Sequence, residues 1–77
     1  MVEEKLKELF METFQIEITE ENKDHTLRML GLNSMDFVTL IVAIEERMNY
    51  DLYSLDVDLS QMRTFNKVLN VINEHYN

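Results

Sequence analysis

The chain has 77 residues, with 7 Lys and Arg against 15 Asp and Glu, and its formal net charge is −8. A chain this short forms one domain, residues 1–77, and protects only about 60% of the surface that its unfolded form exposes, which excludes a deep substrate cleft. The absence of Cys excludes a disulfide framework, a thiolate metal site and a cysteine nucleophile, and the acidic balance argues against a nucleic-acid interface, which needs a basic face.

Apolar residues at helical spacing predict a first helix from residue 2 to about residue 15, with one buried stripe. The stripe consists of Val2, Leu6, Leu9, Phe10 and Phe14. The acidic segment 17–24 predicts a loop, with Ile16 and Ile18 as apolar anchors. Gly31, the one glycine of the chain, is predicted to permit a close approach of the backbone before the next helix.

Residues 34–49 predict a second helix with two separate apolar arcs. The first arc has the width of about 100° that a core-facing stripe needs, and it consists of Phe37, Leu40, Ile41, Ile44 and Met48. The second arc consists of Met35, Val38 and Val42, bordered by Thr39, Glu45 and Glu46. Because one helix of a small bundle rarely buries two faces, the second arc predicts a surface kept for docking.

After residue 49 the apolar pattern loosens into a long loop, which is predicted to hold one short helix near residues 58–62. Thr64 is the predicted N-cap of a last helix. The apolar side chains of that helix are Phe65, Val68, Leu69, Ile72 and Tyr76. No strand-like alternation competes, so the sequence predicts an all-α four-helix bundle with three main helices and one short helix.

The most informative stretch is residues 30–38, Leu-Gly-Leu-Asn-Ser-Met-Asp-Phe-Val. Ser34 lies where the N–H groups of the first helical turn have no intrahelical partner, and an anion attached there meets the positive end of the helix dipole. A serine at a helix start is more often simply an N-cap. From the residues alone, both interpretations of Ser34 stay open.

This stretch resembles the phosphopantetheine attachment site of acyl and peptidyl carrier proteins, whose usual pattern is Gly-x-Asp-Ser-Leu. The likeness continues through residues 38–46, which resemble the second helix of that family with its terminal acidic pair, here Glu45 and Glu46. Residues 62–68 resemble the entry to the family's last helix. The resemblance covers essentially the whole chain and implies an acyl-carrier-protein-like bundle.

The resemblance implies that Ser34 takes a 4′-phosphopantetheine arm, transferred from coenzyme A by a separate phosphopantetheinyl transferase. The thiol of the arm would hold fatty acyl, polyketide, aminoacyl or D-alanyl cargo as a thioester, so the chain needs no cysteine of its own. We therefore expect a free-standing, monomeric carrier protein that is not an enzyme. The alternative is a carrier-like interaction module that is never pantetheinylated, and a small hydrolase or metal enzyme ranks third because ligands and a cleft are missing.

The neighbours of Ser34 are the other predicted cofactor-binding residues, and two of them depart from the family pattern. Asn33 replaces the usual Asp and keeps its hydrogen-bonding shape without its charge, which is expected to weaken docking to a transferase. Asp36 keeps an acid two residues after Ser34 and is expected to compensate. Met35 replaces the commoner Leu with an apolar side chain of similar volume, and we expect it to fill the same role beside Ser34.

Negative charge is concentrated around Ser34. Residues 33–58 hold six acids against one base, −5 of the net −8, and such a concentration steers a basic partner surface in a salt-dependent way. We predict a docking face that consists of Val38, Thr39, Val42, Glu45 and Glu46. Its expected partners are the transferase and a loading ligase or synthase with a basic surface. Thr39 stands where many carriers have a further acid, which favours a specialised pathway over housekeeping fatty-acid synthesis.

The remaining candidates do not indicate a second site. The acids at positions 51, 56 and 58 lack the spacing and the glycine of an EF-hand calcium loop. His25 and His75 stand alone in the sequence, with no nucleophile to serve, and are predicted to have a surface or capping role. No metal site is predicted. Tyr50 and Tyr53 are predicted to close the bundle beside the second helix, or to line the entrance to the space where an arm or acyl chain would lie.

The sequence also predicts a cytoplasmic protein without membrane insertion. No apolar run reaches the roughly 18–20 residues of a membrane span. The acidic N-terminal residues lack the basic start of a signal peptide.

Overall fold

The computed structural model describes residues 2–52 and 62–76, which form three helices. In chain order these are α1 (Val2–Phe14), α2 (Ser34–Met48) and α3 (Phe65–Tyr76). The described residues contain no β-strand, only an isolated antiparallel bridge between Thr26 and Thr64. The all-α fold with three main helices is therefore confirmed. The predicted short helix at 58–62 lies outside the described residues except for Met62, which belongs to no helix.

One apolar core joins the three helices, with α1 packed against both α2 and α3. At its centre the fully buried rings of Phe10 and Phe65 meet edge to face, with centroids 5.4 Å apart. Each predicted stripe faces this core, and its outermost members, such as Val2 and Phe37, are only partly buried. The connecting segments complete the core with Ile18, Leu27, Leu32, Leu52 and Met62.

None of the helices in the described ranges is long and apolar enough to cross a membrane, since the longest, α2, has 15 residues.

The start of α3 is tied to the segment that precedes α2. The N–H of Leu27 donates to the carbonyl oxygen of Arg63 at 2.8 Å, and the N–H of Asn66 donates to the carbonyl oxygen of Lys23 at 3.2 Å. The predicted N-cap of α3 is confirmed, because the Oγ1 of Thr64 accepts from the N–H of Lys67 at 3.1 Å. These bonds hold residues 26–28 and 62–64 side by side next to the first turn of α2.

Gly31 has a positive φ of +99°, and a Cβ built on it would have no heavy atom within 4 Å. The prediction that this glycine permits a close backbone approach is therefore wrong. The position requires glycine because its backbone conformation is one that L side chains rarely adopt. The turn that it forms carries the chain from the buried Leu27 to the start of α2, with the Gly31 N–H donating to the carbonyl oxygen of Arg28 at 2.9 Å.

We expect Gly31→Ala to lower the free energy of unfolding by about 1–2 kcal/mol, the usual cost of forcing a Cβ into a positive-φ conformation. Urea denaturation followed by circular dichroism measures the change. Gly31→Asn is the matched control, because Asn tolerates positive φ better than Ala and is expected to lose less. An Asn variant that loses as much as the Ala variant would contradict a backbone origin, since the space around the Cβ is open.

Candidate functional site

Ser34 is the first residue of α2, and its side chain is exposed. Its Oγ makes no hydrogen bond with any residue in the described ranges, and the hydroxyl therefore faces solvent. The prediction that α2 begins at Ser34 is confirmed. The alternative of Ser34 as the N-cap is wrong, because Asn33 occupies that position.

Asn33 and Asp36 close a reciprocal capping box around Ser34. The Asp36 N–H donates to the Oδ1 of Asn33 at 2.9 Å, and the Asn33 N–H donates to the Oδ2 of Asp36 at 3.0 Å. Asn33 therefore caps α2 as an Asp would, since the two residues are about equally good N-caps; the expected effect of the missing charge on transferase docking stays a prediction. The box fixes the backbone on both sides of Ser34 and leaves the N–H groups of Ser34 and Met35 without an acceptor among the described residues.

Removing the cap should destabilise the bundle without touching the serine. We expect Asn33→Ala to cost about 1 kcal/mol of unfolding free energy, the typical value of an N-cap. Asn33→Asp keeps the acceptor oxygen and places a negative charge at the positive end of the helix, so its stability should stay within about 0.5 kcal/mol of the parent or exceed it. Thermal unfolding of both variants measures the difference. An Asp variant as unstable as the Ala variant would contradict the capping role.

A cleft of about 520 Å³ opens beside Ser34. Its floor is apolar and largely buried, with Leu27 and Leu32 less than a tenth exposed. The lining residues are Thr26, Leu27, Arg28, Leu32, Asn33, Ser34, Phe37, Met62 and Arg63. Ser34 thus lies at the edge of a recess that has an apolar floor and is also lined by two arginines, Arg28 and Arg63.

The guanidinium groups of Arg28 and Arg63 have no hydrogen bond or ion pair with residues 2–52 or 62–76, and both side chains are exposed. Three other bases behave differently, because Lys7, Lys23 and Arg47 each pair with a glutamate. Sequence reasoning missed both cleft arginines. Arg63 is remote from Ser34 in the chain, and only the backbone pairing of residues 26–28 with 62–64 brings it to the cleft.

The second apolar arc of α2 is exposed, as predicted. Met35, Val38 and Val42 expose 73%, 45% and 42% of their surface. The Thr39 hydroxyl donates to the carbonyl oxygen of Met35 at 3.2 Å, a bond back into its own helix. With the exposed Glu45 beyond them, these residues form an apolar strip that ends in acids.

The acidic end of α2 includes a third carboxylate that follows the helix in the chain. The negative charge of Asp51 raises the pKa of Glu45 above its usual range, and partial desolvation, a hydrogen bond with Asp51 and the charge of Glu46 add to the shift. Asp51 is held in place because the Tyr76 hydroxyl donates to its carbonyl oxygen at 3.0 Å. Because neighbouring carboxylates raise the pKa of Glu45, this end of α2 is a surface of concentrated negative charge.

The other candidates lie away from the serine. His25 and His75 are exposed, as predicted. Tyr50 stacks on Tyr76 with ring centroids 4.3 Å apart, which places it against the bundle, and it does not line the cleft. Tyr53 lies outside the described residues, as do the acids at positions 56 and 58. Within the described ranges, no group of three His, Cys, Asp or Glu could hold a metal ion.

Comparison with known proteins gives one finding that covers most of the chain. Residues 4–72 match the family model described as the phosphopantetheine attachment site. No curated protein and no solved structure gives a significant match. The matched range contains most of α1, all of α2, the described lining of the cleft and most of α3, with Ser34 and its capping box inside it. Because this match extends over far more than half of the 77 residues, the chain belongs to the phosphopantetheine attachment family.

Proposed function

We propose that Ser34 is the attachment residue for 4′-phosphopantetheine, and that the chain is a free-standing carrier of acyl or aminoacyl intermediates held as thioesters. The family carries this cofactor covalently bound, and its carrier domains are not catalytic themselves. The observation that carries the assignment to Ser34 is its exposed hydroxyl at the first position of α2, which has no hydrogen-bond partner among the described residues.

The residues around Ser34 fit a phosphodiester. The N–H groups of Ser34 and Met35 have no acceptor among the described residues, and they lie at the positive end of α2, where a negative group is stabilised. Asn33 and Asp36 hold this turn through the capping box. Met35 is exposed beside the serine and offers an adaptable apolar contact to whatever approaches it.

The working thiol belongs to the arm, since the chain has no cysteine. When bound, the arm supplies a thiol that carries cargo as a thioester. The chain itself orients the attachment point through the capping box and offers a surface to the enzymes that act on the cargo. This division of labour agrees with a 77-residue chain whose described part has a cleft of about 520 Å³ beside Ser34.

The docking face of α2 is the proposed contact for those enzymes. It combines the exposed Val38 and Val42 with Thr39, and it ends at Glu45 and Glu46. An apolar strip bordered by carboxylates suits a partner with an apolar patch inside a basic rim. Carrier domains of this family work with a phosphopantetheinyl transferase and with synthases, and we assign this face to both kinds of partner.

Intact-mass spectrometry after incubation with coenzyme A and a broad-specificity phosphopantetheinyl transferase tests the proposal. In the expected reaction the Ser34 hydroxyl loses its proton, its oxygen bonds to the pantetheine-bearing phosphorus of coenzyme A, and adenosine 3′,5′-bisphosphate leaves. The expected result is a gain of one phosphopantetheinyl group. An unchanged mass with several transferases would overturn the proposal and favour a carrier-like interaction module that is never modified.

Three further expectations stay predictions: a monomeric state, a single domain over residues 1–77 and a cytoplasmic location. Size-exclusion chromatography with light scattering of the purified protein, before and after modification, measures the first of them.

A further inference from the structure

The cleft beside Ser34 is lined by Arg28 and Arg63, whose guanidinium groups have no ion pair among residues 2–52 and 62–76, in a protein with a net charge of −8. We propose that Arg28 and Arg63 hold the phosphodiester of the arm against the body of the carrier, so that the arm lies in the cleft until a partner competes for it. This inference rests on the proposed function, and it assigns to the chain a positioning role toward its own cofactor.

The two arginines reach the cleft from separate segments that the backbone fastens together. The Leu27 N–H bonds to the carbonyl oxygen of Arg63 at 2.8 Å, and the bridge between Thr26 and Thr64 continues the pairing. Leu27 is buried as well. The Cα positions of both arginines are thus fixed relative to each other, and only the side chains have to move to meet an anion.

Charge complementarity identifies the occupant. A phosphodiester carries one negative charge, and guanidinium groups bind phosphate oxygens through charge-assisted hydrogen bonds. The described residues that line the cleft include no carboxylate, and Asp36, two residues after Ser34, accepts the N–H of Asn33. Neither Arg28 nor Arg63 has a described protein partner, so binding a phosphate breaks no ion pair within those residues. The phosphate is tethered to the serine that lines the same cleft, which gives it a high effective concentration there.

The floor of the cleft suits the rest of the arm. Leu27, Leu32 and Met62 present an apolar surface that is less than a tenth exposed, and Phe37 lines the same recess. A chain of amide and methylene groups can cover this floor while its phosphate stays between the arginines. Because the arginines are exposed, the contact is expected to weaken with salt and to open readily for a partner.

The test compares the thermal stability of the unmodified and modified protein in three backgrounds: the parent, Arg28→Gln/Arg63→Gln and Lys5→Gln/Lys67→Gln. Lys5 and Lys67 are matched controls, because they are exposed, lie outside this cleft and have no ion pair among the described residues. Each double variant removes two positive charges. Coenzyme A itself is the donor, so the arm carries a free thiol and no cargo. Intact mass confirms modification before each melt.

We expect the arm to raise the Tm of the parent by roughly 4–8 °C, the shift that a net gain of one charge-assisted contact produces in a domain of this size. The arginine variant should lose most of this increment and the lysine variant should keep it. The phosphorus-31 resonance of the diester should also move between parent and arginine variant.

Two results would overturn the inference. The first is an equal Tm increment, or none, in all three backgrounds. The second is an equal loss of the increment in the arginine and lysine variants, which would assign the effect to net charge. If the protein gains the mass of the arm and gives either of these results, only the proposed arginine contact is overturned. A protein that gains no mass overturns the proposed function and this inference together.

Discussion

Replacing Ser34 by alanine is expected to abolish the phosphopantetheinyl mass gain completely. In the proposed reaction the hydroxyl oxygen forms the new bond to phosphorus, and the expectation is that no other group at the start of α2 takes its place. Asn33 is occupied as the N-cap and Asp36 accepts the Asn33 N–H, so both neighbours are engaged in the capping box. Intact-mass spectrometry of the variant under the conditions used for the parent measures the loss.

The Ser34→Ala substitution should leave the bundle folded. A loss of the mass gain would then come from the missing hydroxyl oxygen and not from unfolding of the site around it. Ser34 is exposed and is not the N-cap, so we expect a change in unfolding free energy within about 0.5 kcal/mol. The two other serines of the chain, Ser54 and Ser60, provide controls of identical chemistry. Their alanine variants should keep the full mass gain. A mass gain that persists in Ser34→Ala and disappears in either control would move the attachment site.

The helices and their core faces could be predicted from the sequence because the apolar period is a local property of each segment. Leu40, Ile41 and Ile44 recur at the spacing of one helical face, and all three are buried. The exposed arc was predictable for the same reason, since Val38 and Val42 fall on a different side of the wheel. Such patterns need no information about the rest of the fold.

The identity of the N-cap was less easily predicted, because Asn33 and Ser34 are both good capping residues. The deciding signal is the residue three positions later. Asp36 follows Asn33 at the spacing of a capping box, whereas Phe37 follows Ser34 and has no acceptor to offer. This signal is present in the sequence, and it removes the capping interpretation of Ser34.

The cleft arginines could not be predicted, because Arg28 and Arg63 meet only through long-range backbone pairing between irregular segments. No periodicity marks such a pairing. The reason for glycine at position 31 could not be predicted either. A positive φ and a close backbone approach both favour glycine, so the sequence does not distinguish them. The backbone conformation in the structure does.

Reversing both charges at the end of the docking face, Glu45→Lys with Glu46→Lys, is expected to slow loading by the partner enzymes by at least roughly tenfold at low salt. Complementary charge accelerates association by about ten- to a thousandfold, and the reversed pair repels a basic partner. The difference from the parent should shrink as salt is added. Stopped-flow or quenched measurements of transfer at subsaturating carrier concentration give the rate.

The fold should tolerate this reversal. Glu45 suffers repulsion from Asp51, which raises its pKa, and a lysine there replaces repulsion by attraction. Lysines in the last turns of α2 also suit the negative end of the helix dipole. Glu4→Lys with Glu8→Lys on α1 is the matched control, because both glutamates are exposed and the change in net charge is the same. If the control slows loading as much as the docking-face variant, net charge sets the rate and the docking face has no special role.

The pKa of Glu45 adds a dependence on pH with a defined sign. Because that pKa lies above the usual range of a glutamate, Glu45 takes up its proton at a higher pH than an ordinary surface carboxylate. Docking to a basic partner should therefore weaken as the pH falls through this raised pKa. Asp51→Asn removes the largest cause of the shift and should move the weakening to lower pH. A pH profile of loading that is identical in the parent and in Asp51→Asn would contradict the assignment of this carboxylate to docking.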